Sequence, residues 1–449
     1  MHNISSQKDQ LYANTHSSAD NTPKRGDHAD HSIEPGEIAV GVIIGRASEY
    51  FDFFVYALAS VLAFPSVFFP FEQRLEGTLY AFTIFSFAFL ARPLGTVAFM
   101  SIQKRLGMEA KLTIALVLLG TCTAGIAFLP SHQTLGGMAI LLLSIFRVGQ
   151  GVALGGSWDG LPSLLALNAP ENKRGWYAML GQLGAPIGFM LAASMFAFLL
   201  TTLQPDDFLQ WGWRYPFYVA FAINVVALFA RLRLVSSHEY SQMLTESELQ
   251  PTDITEMALS QSRNILIGAL AALASYALFH LVTVFPLSWI SLYSGRNLPD
   301  FLYFQVGCAS LMALAVIASG LIADRIGRRN TLGTLALLIA AFSFFTPTLL
   351  KGGEHGENLF VMIGFILLGL SYGQAAGAVT ANFSSKYRYT GAALTADLSW
   401  LAGAGFAPLV ALGLSAHFGL AYVSLYLASG AACSLAALSL NRALEMRNE

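Results

Sequence analysis

Charge is what this chain has least of. Only 12% of its 449 residues are Asp, Glu, Lys or Arg, about half the share of a soluble domain. Neither sign dominates, and a net charge of −2 supplies no basic surface for nucleic acid. Cysteine is scarce as well: Cys122, Cys308 and Cys433 fall in separate apolar stretches, with no metal-ligand spacing and no disulfide framework. A phosphate-cradling glycine loop, a Ser/His/Asp constellation and an appended soluble domain are also missing. Nothing therefore points to an enzyme, a cofactor or a bound metal.

Apolar residues take the place of the missing charge, at 55% of the chain with 40 Gly and 33 Phe. The mean hydropathy is +0.56. From Glu37 onward, apolar runs recur that are long enough to cross about 30 Å of hydrocarbon. Twelve can be bounded by Gly, Pro and charge clusters. In the first half they lie near 37–64, 77–100, 112–130, 137–167, 175–203 and 215–235. In the second half they lie near 264–293, 300–323, 331–350, 358–383, 390–416 and 420–440. The expected architecture is an all-α membrane protein of twelve transmembrane helices in two six-helix bundles, 37–235 and 264–440. Residues 236–263, with Glu239, Glu246, Glu248, Asp253 and Glu256, are too polar to cross and read as a linker. The ends read as tails, 441–449 and a disordered 1–36 whose His2, His16, His28, His31 and Asp30 match no metal pattern.

Lys and Arg set the orientation. With both termini placed inside, eighteen of the 25 fall in inner segments and four, Arg74, Arg214, Arg296 and Lys351, in outer loops. Arg46, Arg92 and Arg147 lie within spans. Cytoplasmic termini are the expectation. The halves also echo each other: Lys104-Arg105-Leu106-Gly107 after span two matches Asp324-Arg325-Ile326-Gly327 after span eight, and Ala185-Pro186 matches Ala407-Pro408. Parallel repeats of this kind place a substrate site between them, near the bilayer midplane.

Gly320-Leu321-Ile322-Ala323-Asp324-Arg325-Ile326-Gly327-Arg328-Arg329 resembles the loop motif of the major facilitator superfamily, and Arg147-Val148-Gly149-Gln150-Gly151 its fourth-span motif. Four further segments are similar to the metabolite:proton symporter family, which includes α-ketoglutarate, citrate, shikimate and proline/betaine permeases. They are Glu49-Tyr50-Phe51-Asp52-Phe53, Ala91-Arg92-Pro93-Leu94-Gly95, Trp211-Gly212-Trp213-Arg214-Tyr215-Pro216-Phe217 and Arg388-Tyr389-Thr390-Gly391-Ala392-Ala393-Leu394. The resemblance spans about Glu37 to Leu440. It implies proton-coupled uptake of a small organic acid or zwitterion by a multi-pass protein of the bacterial inner membrane. The implied partners are substrate, protons and the lipid bilayer, with the protein acting as a monomer. The alternatives are an uncoupled facilitator or exporter on the same fold, and a non-transporting sensor.

The chain also departs from the family pattern. Lys104 and Met108 replace the Asp and Arg of the first-half loop. Where relatives read Gly-Gly-Glu-Trp-Gly-Gly, this chain reads Gly155-Gly156-Ser157-Trp158-Asp159-Gly160. Ala381 stands in place of an acid, and Asp397 where relatives tend to have Asn.

Buried charge marks the candidate site. Arg46, Glu49 and Asp52 in span one would together oppose insertion by about 8–10 kcal/mol if unpaired in lipid. Their spacing of three places Glu49 between the other two on one helix face. One reading has Arg46 holding an anionic substrate while Glu49 or Asp52 takes the proton. The other is a structural Arg46–Glu49 pair, with Asp52 bonded to a neighbouring span. Arg147, with Gln150 and Trp158 near its face, suits carboxylate recognition, or equally an anchor to a span-one carboxylate. Arg92 reads as structural. Tyr276, His280 and Thr283 share a face of span seven, and Tyr372 and Gln374 belong to span ten. Tyr276, His280, Tyr372 and Gln374 complete the substrate-site candidates, with His280 read alternatively as an interhelical donor. Asp397, one turn from Trp400, is a proton-coupling or gate candidate. Asp324, Arg325, Arg328 and Arg329 form a candidate latch between the halves, which the altered first-half loop should be unable to duplicate.

Overall fold

A computed structural model describes residues 35–158, 160, 165, 169–236, 242, 250–381 and 383–440. The histidine-containing tail, most of the linker, the C-terminal tail and Asp159 lie outside the described residues. Among those described, ten helices are long and apolar enough to cross a membrane. One of them, Arg74–Ala127, has 54 residues, about 80 Å at 1.5 Å per residue, far more than a bilayer's thickness. It is two spans joined at Gly107, whose φ of 89° breaks the helix in a region that L side chains rarely adopt. The helix Pro35–Leu62 is the remaining span, with Arg46, Glu49 and Asp52 interrupting its apolar run. The total is twelve, as expected.

Span four is Gly137–Gly156. Span five runs from Arg174–Leu180 through a tight turn into Gly184–Thr202, and span six is Tyr215–Val235. The helix that feeds span seven begins at Ile254, ahead of the expected 264, because Asp253 accepts bonds from the Thr255 and Glu256 amides and caps it. Span seven then continues as Leu273–Thr283 and Phe285–Tyr293. Spans eight, nine and ten are Leu298–Ile326, Arg328–Leu350 and Gly353–Ala381. Span eleven is Ser385–Ser399, a π-helical turn at Trp400–Gly405, and Ala407–His417. Span twelve is Leu420–Leu440. Gly327, with φ of 83°, separates spans eight and nine just as Gly107 separates two and three, so the sequence repeat is also a backbone repeat.

Apolar side chains such as Leu94, Phe229 and Phe344 are exposed on the outside, as helices facing lipid require. Inside, rings from both halves meet: Phe53, Phe54 and Phe89 of the first pack against Phe279, His280 and Trp400 of the second. Span four lies against span two with almost no side chain between them. A Cβ on Gly151 would sit 2.6 Å from Ala88 Cα, and one on Gly155 2.5 Å from the Thr96 amide. Small residues four apart allow this close approach, and it fixes the height of Arg92 on span two.

Candidate functional site

The cavity is lined by Arg46, Glu49, Tyr50, Phe53, Arg92 and Trp400 among others. Trp400 belongs to the second half and the other five to the first. Glu49 is the electrostatic hub of its wall. One carboxylate oxygen accepts from Arg46 Nη1 at 2.7 Å. The other accepts from Arg231 Nη2 at 2.7 Å and from the Ser157 hydroxyl at 3.1 Å. Arg231 Nη1 also donates to the Ser157 carbonyl at 3.3 Å. The Arg46–Glu49 pair expected from spacing is present, but the second arginine was not foreseen. Arg231 is one of the eighteen inner-segment cations, although its place within an apolar run, before Leu232 and Leu234, signals that it is buried.

Asp52 is one turn on, in a different environment. It is buried, and its only hydrogen-bond donor among the described residues is the Thr123 hydroxyl at 2.9 Å. Thr123 in turn accepts from Gln150 Nε2 at 2.9 Å, and Gln150 Oε1 accepts from Arg147 Nη1 at 3.0 Å. Arg147 therefore reaches Asp52 through two polar side chains rather than by a direct ion pair. Its guanidinium stacks over Tyr56 at 3.9 Å and donates to the Phe85 carbonyl at 3.2 Å, while Nη2 is buried without a hydrogen-bond partner among the described residues.

His280 is fully buried, its ring 5.2 Å from Phe53 and 5.3 Å from Phe85. Neither ring nitrogen has a hydrogen-bond partner among the described residues, so it is not an interhelical donor here. Tyr276 packs on Tyr372 and Trp400, and the Tyr372 hydroxyl bonds that of Tyr50 across the halves. These aromatic groups close the space between the bundles.

Among the substrate-site candidates Arg46 alone lines the cavity; Tyr276, His280 and Tyr372 pack behind its aromatic wall, and two others lie elsewhere. Trp158 follows the end of span four at Gly156, so extrapolating the helical face past that point misplaces it. It packs on Ala392 and Ala396 of span eleven. Its carbonyl accepts from Lys111 Nζ at 2.5 Å and lies 3.1 Å from the Tyr389 hydroxyl. Gln374 donates to the Gly175 carbonyl at 3.3 Å and to Ser319 at 3.2 Å. It thus joins the crossing of spans five, eight and ten at the linker end.

Asp324 is at the same crossing. Its two oxygens accept the backbone amides of Gly175 at 2.6 Å and Trp176 at 3.1 Å, at the start of span five, where exposed N–H groups favour a carboxylate. Arg328 donates to the Gly377 carbonyl at 3.2 Å and to the Arg174 carbonyl at 3.5 Å. Arg329 bonds the Leu438 carbonyl within its own half, and Arg325 is exposed. Asp397, finally, is paired with Arg92 at 2.7 Å and with the Thr96 hydroxyl.

Twelve spans in two repeated halves, joined around sequestered charges and a cavity, define a helical membrane carrier. The family model for the Major Facilitator Superfamily matches residues 131–397. An inner membrane metabolite transport protein of Escherichia coli is 34% identical over 90% of this chain and 93% of its own. The shikimate transporter of the same organism is 30% identical over 89% and 92%. The crystal structure of a D-xylose-proton symporter superposes with a TM-score of 0.68 at 17% identity, covering 90% of this chain and 96% of that one. The chain belongs to the major facilitator superfamily and is a membrane transporter of small molecules, not an enzyme.

Proposed function

We propose that this protein carries a small organic acid or zwitterion across a bacterial inner membrane together with protons, by alternating access. The observation that carries the reading is the cavity itself, where the Arg46 guanidinium and aromatic rings line one space, suited to an anionic group on an apolar body. Relatives named for shikimate and for proline/betaine transport support the substrate range. Between the two candidate carboxylates, Asp52 is the better proton carrier. It meets a hydroxyl rather than a guanidinium, so a proton can come and go without breaking an ion pair. A proton on Glu49 would loosen two arginines at once. Ser157, at the position where the family resemblance implies Glu, favours the uncoupled facilitator as the second reading.

The test is uptake by purified protein in liposomes under an imposed pH gradient, with shikimate, citrate, succinate, proline and glycine betaine as probes. At least one should accumulate, and a protonophore should abolish that accumulation. Asp52→Asn should keep exchange of the probe while losing its accumulation. Accumulation that survives both the protonophore and Asp52→Asn rejects coupling. Exchange of no probe rejects the substrate class.

A further inference from the structure

Arg92 is the second guanidinium of the cavity wall, and its bonds are divided in an informative way. Nε donates to Asp397 Oδ1 at 2.7 Å, while the Thr96 hydroxyl holds the other oxygen. Arg92 and Thr96 belong to span two and Asp397 to span eleven, so this pair ties the two halves together. Asp397 is almost wholly buried, at 3% side-chain exposure. The Nη1 and Nη2 groups of Arg92 meet no acceptor among the described residues. Its side chain lines the cavity, with the guanidinium carbon 5.9 Å from the centre of the Trp400 ring.

A guanidinium bound through Nε still presents its Nη1–Nη2 edge, whose two parallel donors match a carboxylate. That edge and the Trp400 face together fit a carboxylate carried on a planar or cyclic body. A carboxylate at this edge would give the guanidinium two anions to balance. In a low-dielectric wall one positive charge does not hold two carboxylates as firmly as one, so the grip on Asp397 weakens.

We propose that Arg92 is where a substrate carboxylate is read and passed to the boundary between the halves. The carboxylate takes the open edge of Arg92, Asp397 is loosened, and span eleven is released from span two. This rests on the transport reading above and adds to it a carboxylate-specific trigger.

The experiment measures access to the cavity separately from flux. In full-length protein with Cys122, Cys308 and Cys433 replaced by Ala, Leu154→Cys places a reporter on the cavity wall. Its alkylation by a membrane-impermeant maleimide is followed in vesicles that expose the linker side. Without ligand, Asp397→Asn and Arg92→Gln should each speed alkylation about tenfold. The double variant should do no more than either, as expected of two residues in one interaction. Thr96→Val, a milder change, should fall between. Added to the otherwise unaltered reporter protein, at least one of shikimate, citrate and succinate should reproduce the acceleration, its methyl ester should not, and Arg92→Gln should be insensitive to it. Equal ligand-free rates in all these proteins overturn the proposal, as does an ester acting like its acid or a panel without effect. The transport reading is judged separately by exchange of the same probes, so the two can fail independently.

Discussion

Three charged groups of one helix illustrate how differently neighbouring residues can be accommodated in a membrane. Arg46 and Glu49 are paired locally, but Glu49 is fully satisfied only when Arg231 arrives from a helix 182 residues further on. Removing one member of a buried pair costs about 3–5 kcal/mol because the other charge stays behind. Glu49→Gln should therefore be among the most destabilising single changes in the molecule, with Arg231→Gln close to it. Thermal unfolding in detergent would measure this. A midpoint within a degree or two of the unaltered protein for both variants would show that the cluster is not structural. The i, i+3 spacing made the first partner legible in the sequence. The second was not, because a distant partner leaves no local pattern and positive charge near a span end is ordinarily solvated. The same limit hides the Thr123 and Gln150 steps between Asp52 and Arg147, although the fourth-span motif marks Gln150.

At the scale of the helix, what hydropathy and glycine reveal is location, and what they conceal is shape. The spans were readable because water is absent from the bilayer core and each must be apolar over its length. The π-helical turn of span eleven was not, since no composition marks Trp400–Gly405 as wider than its neighbours. That turn has consequences: the Gly405 carbonyl accepts the Ser86 hydroxyl of span two at 2.9 Å, and the Gly403 carbonyl that of Tyr426 at 3.3 Å. Trp158 was misplaced for a related reason, the helix having ended before it. The contact between spans two and four is where an element-level change should be felt most. Gly151→Val would push a branched side chain into the Ala88 backbone, and overpacking of this kind costs about 1–3 kcal/mol or more. The expected result is a lower unfolding midpoint together with weaker probe binding, because Arg92 moves with span two. Substitution at Gly413, which faces open space, should change neither.

Across the whole molecule, the two halves are held at the linker end by different chemistry at equivalent places. In the second half, Asp324 binds the first amides of span five. In the first half, Lys104 is exposed and contributes no such carboxylate. There Tyr389 of span eleven donates to Gln103 at 2.9 Å and accepts from Lys111 at 2.9 Å. The sequence repeat predicted the position of both junctions, and the loss of the acid predicted that they would differ, but not what replaces it. The linker is fastened to the same junction: the Thr252 amide donates to Thr390 at 2.9 Å, and Glu256 pairs with Lys386 at 2.5 Å. At the far end, Arg74 bonds Ser291 across the halves at 2.8 Å. Asp324→Asn weakens one charge-assisted bond and loses the other, because an amide nitrogen cannot accept from an N–H, a loss of about 1–3 kcal/mol, or roughly a tenfold or larger shift in the ratio of closed to open states. Spin labels on spans five and eight at the linker end should therefore report a longer distance in a larger fraction of molecules. Tyr389→Phe should produce a similar shift between spans two and eleven while leaving the five–eight distance distribution nearly unchanged if the halves hinge at each junction separately. If the halves rock as rigid bodies, either substitution should lengthen both distances together, and that comparison decides between the two motions.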